Sequence, residues 1–215
     1  MKLIDAYARL KELPTSVFRT HDLMAHLRVN KVNASTILAR FEQAGHLIRL
    51  KRGLWAFPEK IDPLALAEHL TYPFPAYISL QSALFFHGMI SQIPETIFVV
   101  SPARTRIYRT RLGIFSIHHV SPSFFFGFTA MPSGCNMAKP EKALLDFFYL
   151  SPAKSNLFHS LPEVDLPAAF SLPTARRMIR QAGHSRRITM LEKRFADFLS
   201  RHQGNSDRLE VPGNH

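Results

Sequence analysis

Cysteine, acid and long apolar runs are what this 215-residue chain has least of. A single cysteine, Cys135, excludes an intrachain disulfide and fits a reducing compartment, where a lone thiol reads as a buried apolar residue. No stretch of about 18 apolar residues occurs, so no membrane-spanning helix and no membrane partner are expected. Charges interrupt the apolar positions of MKLIDAYARLKEL, which is therefore not read as a signal peptide, and the expected location is the cytoplasm. Acid is scarcer still where chemistry would need it. Between residues 70 and 160 the carboxylates are Glu95, Glu141 and Asp146 alone, poor material for a metal nuclease, which needs them clustered. Glu141 and Asp146, five apart on a helix, lie about 140° apart around its axis and do not converge. The chain has no G-x-S-x-G, no P-loop glycine pattern and no H-E-x-x-H. His118 and His119 are adjacent, so on a strand they face opposite sides and cannot grip one metal. A chain with no catalytic residues, no metal and no cofactor is expected, and not an enzyme.

What the chain has in excess is base. Lys and Arg number 27 against 16 Asp and Glu, a net charge of +11, which favours a polyanionic partner. Hydrophobic residues make up 46%, enough for real cores, and much of the Phe lies beyond residue 70. Length and composition suit two domains. The expected division is 1–58, then 63–203 after a short linker near 58–62, then a flexible tail over 204–215.

The pattern over residues 1–58 predicts a winged helix-turn-helix. Leu3, Tyr7, Leu10 and Leu13 have helical spacing up to Pro14. Val17 and Phe18 form an extended pair, and Thr20 is placed to cap a second helix over 21–27. After a turn over Arg28–Val32, Asn33 is expected to cap a third helix over 34–44, stopped by Gly45. On a helical wheel Ala34, Ile37, Leu38 and Phe41 share one face. Ser35, Thr36, Ala39 and Gln43 point the other way with Arg40 on the flank, a small polar face that could enter a major groove. HLIRLKRGLWAFP (46–58) reads as a hairpin with Arg52-Gly53 at its turn and a basic tip. Eleven basic residues stand against five acidic in the first sixty. Double-stranded DNA is the expected partner. Phosphate contacts are expected from Arg28, Lys31, Lys51 and Arg52, with Asn33 and Arg49 on the same surface and base-edge contacts from Ser35, Thr36, Arg40 and Gln43. Trp55 reads as packing beneath the wing.

The remainder reads as α+β with a mostly antiparallel sheet: a helix from Asp62-Pro63, one over 79–88 capped by Ser79, strands over 97–101, 106–110 and 113–120, a hairpin over 128–138, then helices over 140–150, 173–183 and 187–202. A second basic surface is expected from Arg104 and Arg106, which share one strand face, with Arg109 and Arg111 on the other unless the strand ends first, and from Arg187, Arg194 and Arg201, which recur every seven residues. A deep apolar pocket at Phe124–Phe126 would mark a ligand sensor.

Three segments in order carry a family resemblance: YISLQSALFFHGMISQIPETIFVVSPARTR (77–106), GIFSIHHVSPSFFFGF (113–128) and MAKPEKALLDFFYL (137–150). Ser79, Ser82, Ala83, Leu84, His87 and Gly88, then Phe126 and Gly127, then Pro140, Glu141, Lys142, Ala143, Leu144 and Asp146 occupy its pattern. The chain resembles the AbiEi family, the antitoxin component of bacterial AbiE (type IV) toxin–antitoxin systems. The resemblance implies a winged-helix regulator that represses its own operon by binding its operator, and a larger domain that counteracts a nucleotidyltransferase-like toxin, with direct contact not assumed. The alternative is a stand-alone winged-helix transcription factor whose larger domain senses a ligand or dimerises.

Overall fold

The computed structural model describes residues 2–151, 161 and 163–209. Along the chain the elements are α1 (Leu3–Lys11), β1 (Val17–Arg19), α2 (Thr20–Leu27), α3 (Lys31–Gln43), β2 (Ile48–Lys51), β3 (Leu54–Ala56), α4 (Leu66–Thr71), β4 (Tyr77–Ile78), α5 (Leu80–Phe86), β5 (Thr96–Ser101), β6 (Arg106–Thr110), β7 (Gly113–His119), β8 (Phe128–Ala130), β9 (Asn136–Ala138), α6 (Pro140–Leu150), α7 (Leu172–Arg180) and α8 (Ser185–Leu209). The class is α+β. The chain forms two compact units, and the first draws residues from both sides of 58–62: it holds 1–78, 95–119 and 130–136, and the second holds 79–94, 120–129 and 137–215.

In the first unit, one face of each of α1, α2 and α3 closes on a common core. Leu10, Leu23, Leu38, Phe41 and Phe57 are buried there, each such side chain contributing about 1.5–3 kcal/mol on leaving water. β1, β3 and β2, in that spatial order, form an antiparallel sheet. Gly53 makes the β2–β3 turn at φ +75°, where a Cβ would be strained. Trp55 is buried and donates its indole N–H to Thr20 Oγ1 at 3.1 Å. Two capping expectations are corrected. Thr20 does not cap α2; the cap position is Arg19, whose N–H is taken by Asp22 at 2.6 Å. Asn33 does not cap α3, which starts earlier, at Lys31, because Asn30 Oδ1 accepts the Asn33 N–H at 2.9 Å.

The second sheet of this unit runs β6-β7-β5-β4. Its β4–β5 and β6–β7 pairs are antiparallel, but β5 and β7 are parallel over six residues, Thr96↔Ile114 to Ser101↔His119. The sheet is therefore mixed. The β6–β7 hairpin docks by its second strand, and two reversals of direction bring β7 beside β5 with the same sense. His118 is buried and His119 exposed, on opposite faces. Burial lowers the His118 pKa to about 4, and its Nε2 lies 2.9 Å from Ser116 Oγ.

In the second unit α6 packs against α5, α7 and α8. Ser79 stands at the cap position of α5, but its hydroxyl makes no capping bond and donates to Asp146 Oδ2 at 2.6 Å instead. α8 runs to Leu209, so the segment expected as a flexible tail from residue 204 begins as helix. Residues 210–215, the rest of that tail, lie outside the described residues, as do 152–160.

Candidate nucleic-acid interface

α3 buries Ala34, Leu38 and Phe41 and half-buries Ile37. Lys31, Asn33, Ser35, Thr36, Arg40 and Gln43 are exposed. The arrangement follows from 3.6 residues per turn: a single apolar stripe holds the helix down and leaves the opposite face to solvent. Ser35 Oγ donates to Lys31 O at 2.9 Å and Thr36 Oγ1 to Val32 O at 3.2 Å. Both hydroxyls thus turn their lone pairs outward as acceptors. Val32, read from sequence as part of a turn, lies one helical turn before Thr36 and is 74% exposed. An apolar β-branched side chain displayed this openly on a polar face suits a thymine methyl. Its out-of-phase position relative to Ala34, Leu38 and Phe41 was the available signal, hidden by placing the helix start three residues late.

Arg28 closes α2 in the left-handed region at φ +53° and is exposed, as is Arg52 at the β2–β3 turn. Arg49 is exposed with its guanidinium 5.8 Å from the Trp55 ring. Lys51 departs from this group. It is half-buried, its ammonium donates to Leu70 O at 2.9 Å, and burial, then Arg19 and Arg106, hold its pKa below the ordinary lysine value.

The four arginines of residues 104–111 do not share one face. Arg106 and Arg109 lie in β6 on opposite sides, while Arg104 and Arg111 flank the strand. Arg111 reaches Glu42 O at 3.4 Å, and β6 runs beside β2. In the second unit Arg187 packs over the Tyr149 ring at 4.6 Å and is half-buried, Arg194 is half-buried and Arg201 exposed. The seven-residue recurrence therefore gives no uniform open stripe, because successive turns of α8 meet different neighbours.

One cluster that sequence spacing did not reveal sits in the second unit. Lys142 and Asp146 are fully buried and form an ion pair. Ser79 donates to the other carboxylate oxygen. The Lys142 ammonium lies 3.4 Å from the Phe124 ring centroid and 5.0 Å from that of Phe126. Gly127, at φ +79°, leaves room for the lysine stem, which would stand 3.1 Å from any added Cβ. Ser79, Phe126, Gly127, Lys142 and Asp146, from the three segments that carry the family resemblance, thus meet in one buried polar lock. Phe124 packs its ring against this lysine. Glu141 is engaged separately, accepting the Ser171 N–H at 2.8 Å.

No protein-family model matches the chain, and no curated protein matches its sequence. Among solved structures it is similar to the solution structure of the antibiotic-resistance factor ANT(2″)-Ia, at 11% identity over 67% of this chain and 94% of that one, with a TM-score of 0.31. The expectation that the chain is not an enzyme is withdrawn. The expectation rested on missing linear motifs, whereas active sites are assembled from residues distant in sequence. At this TM-score the likeness carries no argument for any particular activity here.

Proposed function

We propose that residues 1–58 act as a winged helix that binds double-stranded DNA, with α3 in the major groove and the β2–β3 hairpin as the wing. One observation carries this reading. The exposed face of α3 holds small and polar side chains suited to base edges, and Arg28, Lys31, Arg40 and Arg52 are exposed with no carboxylate partner among the described residues. We propose further that the DNA is the chain's own operator and that the chain is the antitoxin of an AbiE-like pair. That step rests on the resemblance of residues 77–150, with a nucleotidyltransferase-like toxin as the functional partner.

Fluorescence anisotropy with the DNA upstream of the gene tests the first part. Binding tighter than to random duplex by about a thousandfold at physiological salt is expected, with a log–log salt slope near −0.9 per phosphate contact. Equal affinity for both duplexes would remove the repressor reading. Co-expression with an adjacent nucleotidyltransferase-like gene product tests the antitoxin reading, which fails if growth is not protected.

A further inference from the structure

We propose that a cleft in the first unit, between the Tyr72–Phe74 turn and β6, binds a free nucleoside phosphate. The cleft encloses about 440 Å³ and is lined by Lys51, Tyr72, Phe74, Arg104, Arg106 and Tyr108, among others, a volume in the range of small-molecule sites.

Its chemistry is one-sided. The lining contains three cations and no acidic residue. None of Lys51, Arg104 and Arg106 has a carboxylate partner among the described residues. Lys51 donates to Leu70 O, which fixes its ammonium at the wall of the cleft and leaves two further N–H groups for a ligand. The cations repel one another: burial, then Arg19 and Arg106, press Lys51 toward losing its proton. A bound dianion would relieve that repulsion, so the cluster favours an anion beyond its separate contacts. Two guanidinium forks match the tetrahedral oxygens of a phosphate better than a single carboxylate.

The aromatic groups select what carries the phosphate. Tyr72 and Phe74 are 63% and 48% exposed, a costly display of ring surface unless something planar covers it. The Arg106 guanidinium lies 5.1 Å from the Tyr108 ring centroid, and Tyr72 and Phe74 line the same cleft as Lys51, Arg104 and Arg106, so the rings and the anion-binding groups share one wall. Phosphate on the cations and a base on the ring faces is the combination a nucleotide satisfies. Three cations in the lining can hold the phosphate by charge-assisted hydrogen bonds without a divalent metal.

Calorimetry on the full-length protein in metal-free buffer tests this, titrating AMP, GMP, ATP and inorganic phosphate separately. A mononucleotide is expected to bind with Kd of about 100 μM or tighter, and inorganic phosphate at least about tenfold more weakly. Arg106→Gln should weaken nucleotide binding about tenfold or more, and Phe74→Ala about fivefold or more. Both residues are exposed, so an unchanged melting curve confirms that the fold is intact. No binding of any nucleotide at about 1 mM, or binding indifferent to both substitutions, overturns the proposal. Equal affinity for phosphate and nucleotide overturns it in favour of a plain anion site. A duplex titration separates the remaining source: if Arg106→Gln weakens only duplex binding, the cleft serves a DNA backbone and the proposal fails.

Discussion

Replacing Asp146 with alanine is expected to destabilise the protein by about 3–5 kcal/mol at pH 7, because it removes the carboxylate that offsets the burial of Lys142. The variant can respond in two ways. If the lysine keeps its proton, it remains a buried cation against the Phe124 and Phe126 rings, which return up to about 2 kcal/mol. If it releases the proton, the cost is set by a group that ionises near 10.4 in the unfolded chain: about 1.4 kcal/mol per pH unit below that value, or roughly 5 kcal/mol at pH 7 and roughly 2 kcal/mol at pH 9. The sign follows from linkage. Burial already depresses the lysine pKa in the wild type, and removing Asp146 depresses it further. The unfolded state then binds the extra proton, and stability rises with pH through the alkaline range, more steeply in the variant than in the wild type. Urea denaturation followed by circular dichroism at pH 7, 8 and 9 measures this. The companion variant, Lys142→Met with Asp146→Leu and Ser79→Ala, removes these three polar side chains together and should return to within about 2 kcal/mol of wild type. A loss below about 1 kcal/mol at pH 7, or a loss independent of pH with the triple variant no better than the single, would refute the reasoning.

Three further outcomes are expected. Gly127→Ala should lower stability by about 1–3 kcal/mol, since a Cβ at φ +79° meets the Lys142 stem; an unchanged melting temperature would show that the lock has slack. His118 stays neutral in the fold down to about pH 4, while the unfolded chain protonates it near 6.5, so stability should fall as pH drops below 6.5 and level off below 4. The loss is about 2 kcal/mol at pH 5 relative to pH 8, and His118→Gln should flatten it. For duplex DNA, Arg52→Gln should reduce the salt slope by about one. Lys51→Gln should change it by less, because that ammonium is turned to Leu70 O; equal effects of the two would place Lys51 on the DNA after all.

Periodicity and turn chemistry made most elements legible. The stripe of Ala34, Leu38 and Phe41, the short apolar runs of β5 and β7 and the Pro140 start of α6 are local signals, and the structure places elements there. Helix starts were less legible, since Asn30, Asn33 and Thr20 all have capping side chains and only neighbouring backbone geometry chooses among them. Of the candidate interface, the exposed face of α3 could be read from the sequence, but the withdrawal of Lys51 could not. It depends on Leu70, nineteen residues away, presenting a carbonyl within reach.

By itself, the sequence determined the α+β class, the basic balance, the shortage of carboxylates and the buried and open faces of α3, because each depends on composition or on residues within a few positions of one another. Tertiary structure alone decided that β5 and β7 run parallel, that Arg104 and Arg106 share a cleft with Lys51 and Tyr72, and that Ser79, Gly127, Lys142 and Asp146 close on one point. Those groups lie tens of residues apart in sequence. Pairing and burial energies, which depend on distance in space and not along the chain, select their partners.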